Sequence, residues 1–144
     1  MSVKLNDPNY SSGVAAFEAK NFSQAMQFLY PLAEAGDADA QHRVAIMCQN
    51  GLGVVRNDKR AFEMMTASAE QGYAVAQHGL GFMYLMGECV EKDGAEAAKW
   101  FRKAADQGLA GSLTTLAMMY EEGNGVEKDP DEAKRLYAEA GFDL

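Results

Sequence analysis

Residues 72–107 read GYAVAQHGLGFMYLMGECVEKDGAEAAKWFRKAADQ, and the same 36-residue pattern stands before them over 36–71 and after them over 108–144. A period of roughly 20 to 50 residues marks stacked supersecondary units, none of which can bury its apolar face alone. Inside the stretch the sharpest signal is Asp93, because Asn21, Asn57 and Asp129 stand at the same interval. An Asn or Asp side chain accepts from the orphaned amides of a helix's first turn, so each of the four predicts a helix start. Asp129-Pro130-Asp131-Glu132 adds proline at the first helical position and glutamate at the third, a capping-box-like arrangement.

After each cap runs an apolar stripe at i, i+3, i+4, i+7 and i+8, the spacing of one helix side. In the quoted stretch it is Ala97, Trp100, Phe101, Ala104 and Ala105. Its counterparts are Ala25, Phe28, Leu29, Leu32, Ala33, then Ala61, Met64, Met65, Ser68, Ala69, and finally Ala133, Leu136, Tyr137, Ala140, Gly141. Four such stripes predict four second helices. First helices precede the caps with stripes of their own: Ala40, Val44, Met47, Cys48; Ala76, Leu80, Met83, Tyr84; and Ser112, Leu116, Met119, Tyr120. Ala45, Gly81 and Ala117 beside them leave room for another helix, and Gly51, Gly87 and Gly123 fit left-handed C-terminal caps. In the loops that follow, Val54, Val90 and Val126 are expected to pin the chain to the core. Upstream, Gly13 to Lys20 is read as a first helix for Asn21 to Ala35.

The expected organisation is therefore a disordered stretch over 1–9 and one domain over 10–144. That domain divides into an N-terminal half-repeat cap over 10–35 and three repeats over 36–71, 72–107 and 108–144. The fold class is all-α, a solenoid of helix pairs.

Composition narrows the partners. The formal charge of −8 repels nucleic-acid phosphates and anionic membrane surfaces, so neither is expected as a ligand. No apolar run is long enough to span a bilayer, and the first ten residues lack the apolar centre of a signal peptide. As written the chain reads as cytoplasmic, or as periplasmic or secreted if a signal peptide has been removed. Cys48 and Cys89 do not recur between repeats and read as thiols. Metalloprotease, phosphate-loop, dinucleotide and serine-hydrolase motifs are absent, and His42 and His78 have no further Cys or His in the pattern to complete a zinc set. No catalytic residue, metal or cofactor is expected.

The motif Ala76-Gln77-x-x-Leu80-Gly81-x-Met83-Tyr84-x-x-Gly87-x-x-Val90-x-Lys92-Asp93, followed by Ala97-x-x-Trp100-Phe101-x-Lys103-Ala104-Ala105-x-x-Gly108, resembles the Sel-one-like repeat, a relative of the tetratricopeptide repeat. The resemblance runs from about Gly13 to the C-terminus. Cys48 departs from it where Tyr84 and Tyr120 stand, as do Cys89 at a loop glycine and Met64-Met65 in place of Trp100-Phe101. The segment Ala15 to Gln41 is similar to a leading half-repeat, with Pro31 to Gly36 as the turn into the next copy. What the resemblance implies is a right-handed α–α superhelix and a non-catalytic adaptor that holds a client protein or peptide. An immunity or inhibitor protein against a secreted bacterial toxin is the alternative. A β-lactam-type hydrolase is third, since the relatives linked to that activity carry a disulfide in each repeat.

On the first-helix side away from the core stripe stand Asp39, His42, Ile46, Gln49 and Asn50 in one copy, and Val75, His78, Phe82, Leu85 and Met86 in the next. The last copy gives Gly111, Thr114, Met118, Glu121 and Glu122. By similarity to tetratricopeptide solenoids this side lines the concave groove. The expected client-contact residues are His42, Ile46, Gln49, Val75, His78, Phe82, Leu85, Met86, Thr114, Met118 and Glu121, with the glutamate orienting a basic partner. The apolar strip is either free for a client or covered by packing or by a dimer partner. With no polar capping helix after Gly141, the C-terminal tail is expected to fold back or to form a weak homodimer.

Overall fold

The computed structural model describes residues 7–142. Eight helices occupy them, with no strand among the described residues: α1 (Pro8–Glu18), α2 (Phe22–Glu34), α3 (Ala38–Asn50), α4 (Asp58–Glu70), α5 (Ala74–Met86), α6 (Gly94–Asp106), α7 (Ala110–Glu122) and α8 (Pro130–Glu139). The described residues form two compact units, divided between Gln71 and Gly72 at a repeat boundary. None of the helices is long and apolar enough to cross a membrane.

The first unit contains α1 to α4. Its first helix begins earlier than Gly13, because Asp7 caps it by accepting from the Asn9 amide at 2.8 Å and Pro8 occupies the first turn. Asp7 to Asn9 are thus helix start rather than disordered chain, and residues 1–6 of that expectation lie outside the described residues. Asn21 sits at the N-cap of α2 without a side-chain cap bond. Its backbone, at φ −87° and ψ 70°, differs from that of the capping Asn57, at φ −143° and ψ 95°. Pro31 lies inside α2, which runs on to Glu34 before the turn at Ala35 and Gly36. The core is Ala25, Leu29, Ala33, Val44, Ala45, Met47, Cys48, Ala61 and Met65, all buried. Val54 is 38 % exposed, so the loop is not pinned there as expected.

The second unit contains α5 to α8. Asp93 and Asp129 cap α6 and α8 through the amides of Glu96 and Glu132, each at 3.1 Å. The capping box at Glu132 is only half made. The Asp129 amide already donates to the Tyr120 carbonyl, so the Glu132 carboxylate turns instead to Arg102 at 3.1 Å and Arg135 at 2.6 Å. Phe101, Leu113, Leu116, Ala117, Met119, Ala133 and Leu136 form the core, with Tyr84, Leu85, Val126 and Tyr137 packed around it. The tail folds back: Gly141 has φ 99°, the Phe142 amide donates to the Tyr137 carbonyl, and the two rings meet edge-on at 6.1 Å. This is a Schellman-type closure with its hydrophobic contact.

One polar device recurs in both units. Gln71 Nε2 donates to the Gly36 carbonyl at 2.9 Å and to Gln41 Oε1 at 2.8 Å. Gln107 Nε2 does the same to Gly72 and Gln77, both at 2.9 Å. Each glutamine joins the end of a repeat to its beginning. The left-handed C-caps at Gly51, Gly87 and Gly123 match the expectation, with φ of 65°, 69° and 70°.

Candidate functional site

Helix α5 builds the centre of the site. Gly81 is what allows it: a Cβ there would lie 2.9 Å from the Phe101 ring, so only glycine lets α6 press that ring onto α5. Phe101 is completely buried, and Phe82 meets it edge-on at 5.0 Å while remaining 38 % exposed. His78 closes the cluster with edge contacts to Phe82 at 4.9 Å and Phe101 at 5.4 Å. A core aromatic is thus connected through two rings to the surface. Val75 and Met86 on α5 are 41 % and 65 % exposed, Met118 on α7 is 51 % exposed, and Leu85 is half-buried against the core.

The remaining expected contacts on α7 differ in what they offer. Thr114 donates its hydroxyl back to the Gly111 carbonyl at 3.0 Å, satisfying its own helix. Glu121 is exposed and accepts from Tyr137 at 2.8 Å, with Glu122 exposed beside it. Together α5 and α7 carry no Lys or Arg.

His42, Ile46 and Gln49 stand on α3 of the first unit, where all three are half-buried. Their neighbour Asp39, expected on an open side, is 5 % exposed. It accepts from Tyr10 on α1 at 2.7 Å and from Arg43 at 3.1 Å, and the Arg43 guanidinium lies 4.9 Å from the centre of the Phe17 ring. Burial, with help from the Asp39 bond, pushes the Tyr10 phenol up to about 12. This arrangement departs from the expected helix over Gly13 to Lys20, because α1 begins at Pro8 and brings Tyr10 within reach of Asp39. Asp7-Pro8 carries the same signal as Asp129-Pro130 and marks that start.

His78 Nδ1 lies 2.7 Å from Ser112 Oγ, a pairing that invites comparison with a nucleophile and its base. Ser112 is 0 % exposed, and burial lowers the His78 pKa. Nucleophilic catalysis needs a reachable hydroxyl. Among the described residues no group of three or more His, Cys, Asp or Glu is placed to hold a metal. Cys48 is buried, which raises its thiol pKa, and Cys89 is half-buried; neither forms a disulfide.

Residues 10–37, 38–73, 74–109 and 112–141 each match the Sel1 repeat. The chain belongs to the Sel1 repeat family. Residues 10–37 count as a repeat, so there are four, where three behind a half-repeat cap were expected. The short connection between α1 and α2 disguises the first.

Among solved structures, a Sel1 repeat protein from Oxalobacter formigenes is 35 % identical over 92 % of this chain and 53 % of its own, with a TM-score of 0.86. The protein c5321, described as a protective antigen of uropathogenic Escherichia coli with an SLR fold, is 36 % identical over 80 % of this chain and 25 % of its own, with a TM-score of 0.78. The chain therefore spans about half and a quarter of these two proteins. Helicobacter pylori cysteine rich protein B shares the fold, at 20 % identity and a TM-score of 0.65 over 83 % of this chain and 86 % of its own. No curated protein sequence matches the chain. The Sel1 repeat family is all-helical and solenoid-forming, and its members are generally non-catalytic scaffolds for protein–protein contact.

Proposed function

We propose that the chain is an adaptor that captures a client protein or peptide on the α5 and α7 face of its second unit. The observation that carries this reading is α5, whose 13 residues include no Asp, Glu, Lys or Arg although Val75, Phe82 and Met86 are exposed. A helix that meets water only would place charges there, and contiguous exposed apolar surface marks interaction sites. Covering a side chain such as Phe82 or Met86 completely contributes about 1.5–3 kcal/mol. Methionine at 86 and 118 adapts to clients of different shape. With Glu121 and Glu122 at one end and no base on either helix, the complementary client carries Lys or Arg.

The test is capture from the native cell with wild type and Phe82→Asp as baits. Loss of the client by the variant, with unchanged helical circular dichroism, supports the reading. Equal recovery by the two proteins rejects this face.

A further inference from the structure

The α5 and α7 face has one polar group whose proton is dictated by its neighbours. Ser112 Oγ is fully buried, and its partner among the described residues is His78 Nδ1 at 2.7 Å. A buried hydroxyl left without an acceptor costs about 1–3 kcal/mol, so Ser112 donates to the ring. Nδ1 then accepts, and the imidazole proton resides on Nε2. Burial lowers the His78 pKa below its ordinary value, which keeps the ring neutral at pH 7. Beside the ring stands Gly111, where an added Cβ would crowd His78 Cε1 at 3.3 Å and Nε2 at 3.7 Å. With glycine at 111, that residue puts no side chain against this edge of the ring.

We propose that His78 Nε2–H is the anchor of this face: it donates to a main-chain carbonyl of a bound protein segment, whose apolar side chain covers Phe82 and Met86 and whose next Lys or Arg meets Glu121 and Glu122. Ser112 is a positioning residue, fixing which ring nitrogen carries the proton. The inference rests on the adaptor reading and adds the chemistry of the client to it. Charge selects this occupant over a second copy of the chain. Residues 72–144 hold thirteen acids against seven bases, so two copies meeting face to face would set one acidic surplus against another, whereas a basic segment would offset it.

Two measurements test it on the full, isotope-labelled chain. Long-range proton–nitrogen spectra should show the Nε2–H tautomer of His78 in wild type and an Nδ1–H population in Ser112→Ala. That substitution is structurally mild, since the matching positions are the buried Ala40 and Ala76. The chain is then titrated with the synthetic peptide acetyl-Ala-Leu-Leu-Arg-Lys-amide and with its Glu-Glu counterpart. The basic peptide should shift Phe82, Met86 and Met118 and move the His78 Nε2 proton downfield. The acidic peptide should bind about tenfold more weakly, and Ser112→Ala should weaken the basic peptide by about 2- to 10-fold with the same footprint.

An Nδ1–H tautomer in wild type, or a His78 proton unmoved by a peptide that does occupy Phe82 and Met86, overturns the anchor and leaves the adaptor reading standing. Equal binding of both peptides, or no footprint on α5 and α7, overturns the assigned client chemistry. Shifts of these residues with protein concentration alone would give the face to a second copy and overturn the proposal. Failure of the adaptor reading itself is read separately, from unchanged client capture by Phe82→Asp.

Discussion

In the first unit Tyr10 reaches from α1 to Asp39 on α3, while in the second His78 reaches from α5 to Ser112 on α7. Tyr10 and His78 hold the same place in the repeat, and their partners are one position apart, Asp39 in register with Gly111 and Ser112 with Ala40. Gly13 stands under Leu29 as Gly81 stands under Phe101, and Tyr10 and His78 each precede their glycine by three residues. The first unit spends the position on a phenol, a carboxylate and a guanidinium, and Asp39 ends up buried. The second spends it on three rings and leaves Phe82, Met86 and Met118 in water. One backbone arrangement thus carries a self-satisfied polar contact or an exposed apolar face, according to a few side chains.

The glycines give the strongest way to break this comparison. Gly81→Ala should cost about 1–3 kcal/mol in chemical denaturation, because the ring it strikes is held between Phe82 and His78 and cannot yield. Gly13→Ala meets Leu29 more closely still, Cδ2 at 2.6 Å and Cγ at 2.7 Å, on a side chain that is 0 % exposed and has no room to change rotamer. Its cost should be of the same size. A markedly smaller cost would mean that the aliphatic packing of the first unit yields where the aromatic cluster of the second does not.

Acid and base should then strain the two units separately. The Glu132 carboxyl is held down to about 2, first by its bond to Arg135 and then by Arg102. A depressed acid contributes stability that is complete above its ordinary value of 4.5 and is lost as pH falls from there through about 2. Tyr10 runs the other way, contributing fully below its ordinary value of 10 and losing that contribution as pH rises toward about 12. Carboxyl-carbon shifts of Glu132 and tyrosinate absorbance, compared with Tyr10→Phe, measure the two midpoints. A Glu132 midpoint in the ordinary carboxylate range would dissolve the Arg102 and Arg135 network.

The smallest effect concerns the connection in the first unit. Lys20 holds φ 64°, a left-handed conformation that glycine adopts without penalty. Lys20→Gly should raise the denaturation midpoint, by about 0.5 kcal/mol once the extra freedom of glycine in the unfolded chain is subtracted. Cys89, with φ 66° where the neighbouring loops carry Gly53 and Gly125, offers the matching test in the second unit.

Much of the fold was legible because its signals are local and periodic. The caps at Asn57, Asp93 and Asp129 and the left-handed glycines behave as their chemistry requires. So does the exposure of Phe82, Met86 and Met118, which follows from helical spacing alone. The Tyr10 and Asp39 contact was not legible, since it depends on where α1 starts and on which of two polar neighbours is buried. The Ser112 and His78 pair was hidden differently. Ser112 occupies a core position filled by alanine in the two preceding copies, so periodicity reads it as a small core residue and says nothing of its hydroxyl.

The glutamine contacts have a consequence for recombination. Gln71 and Gln107 each reach a carbonyl 35 residues upstream and an amide oxygen 30 residues upstream, so donor and acceptors all fall within one 36-residue block. A cassette cut between Gln71 and Gly72, or between Gln107 and Gly108, would travel with its own fastening complete. Duplication or exchange of such cassettes at the gene level breaks none of these bonds, which makes the junctions natural seams for lengthening or shuffling the array.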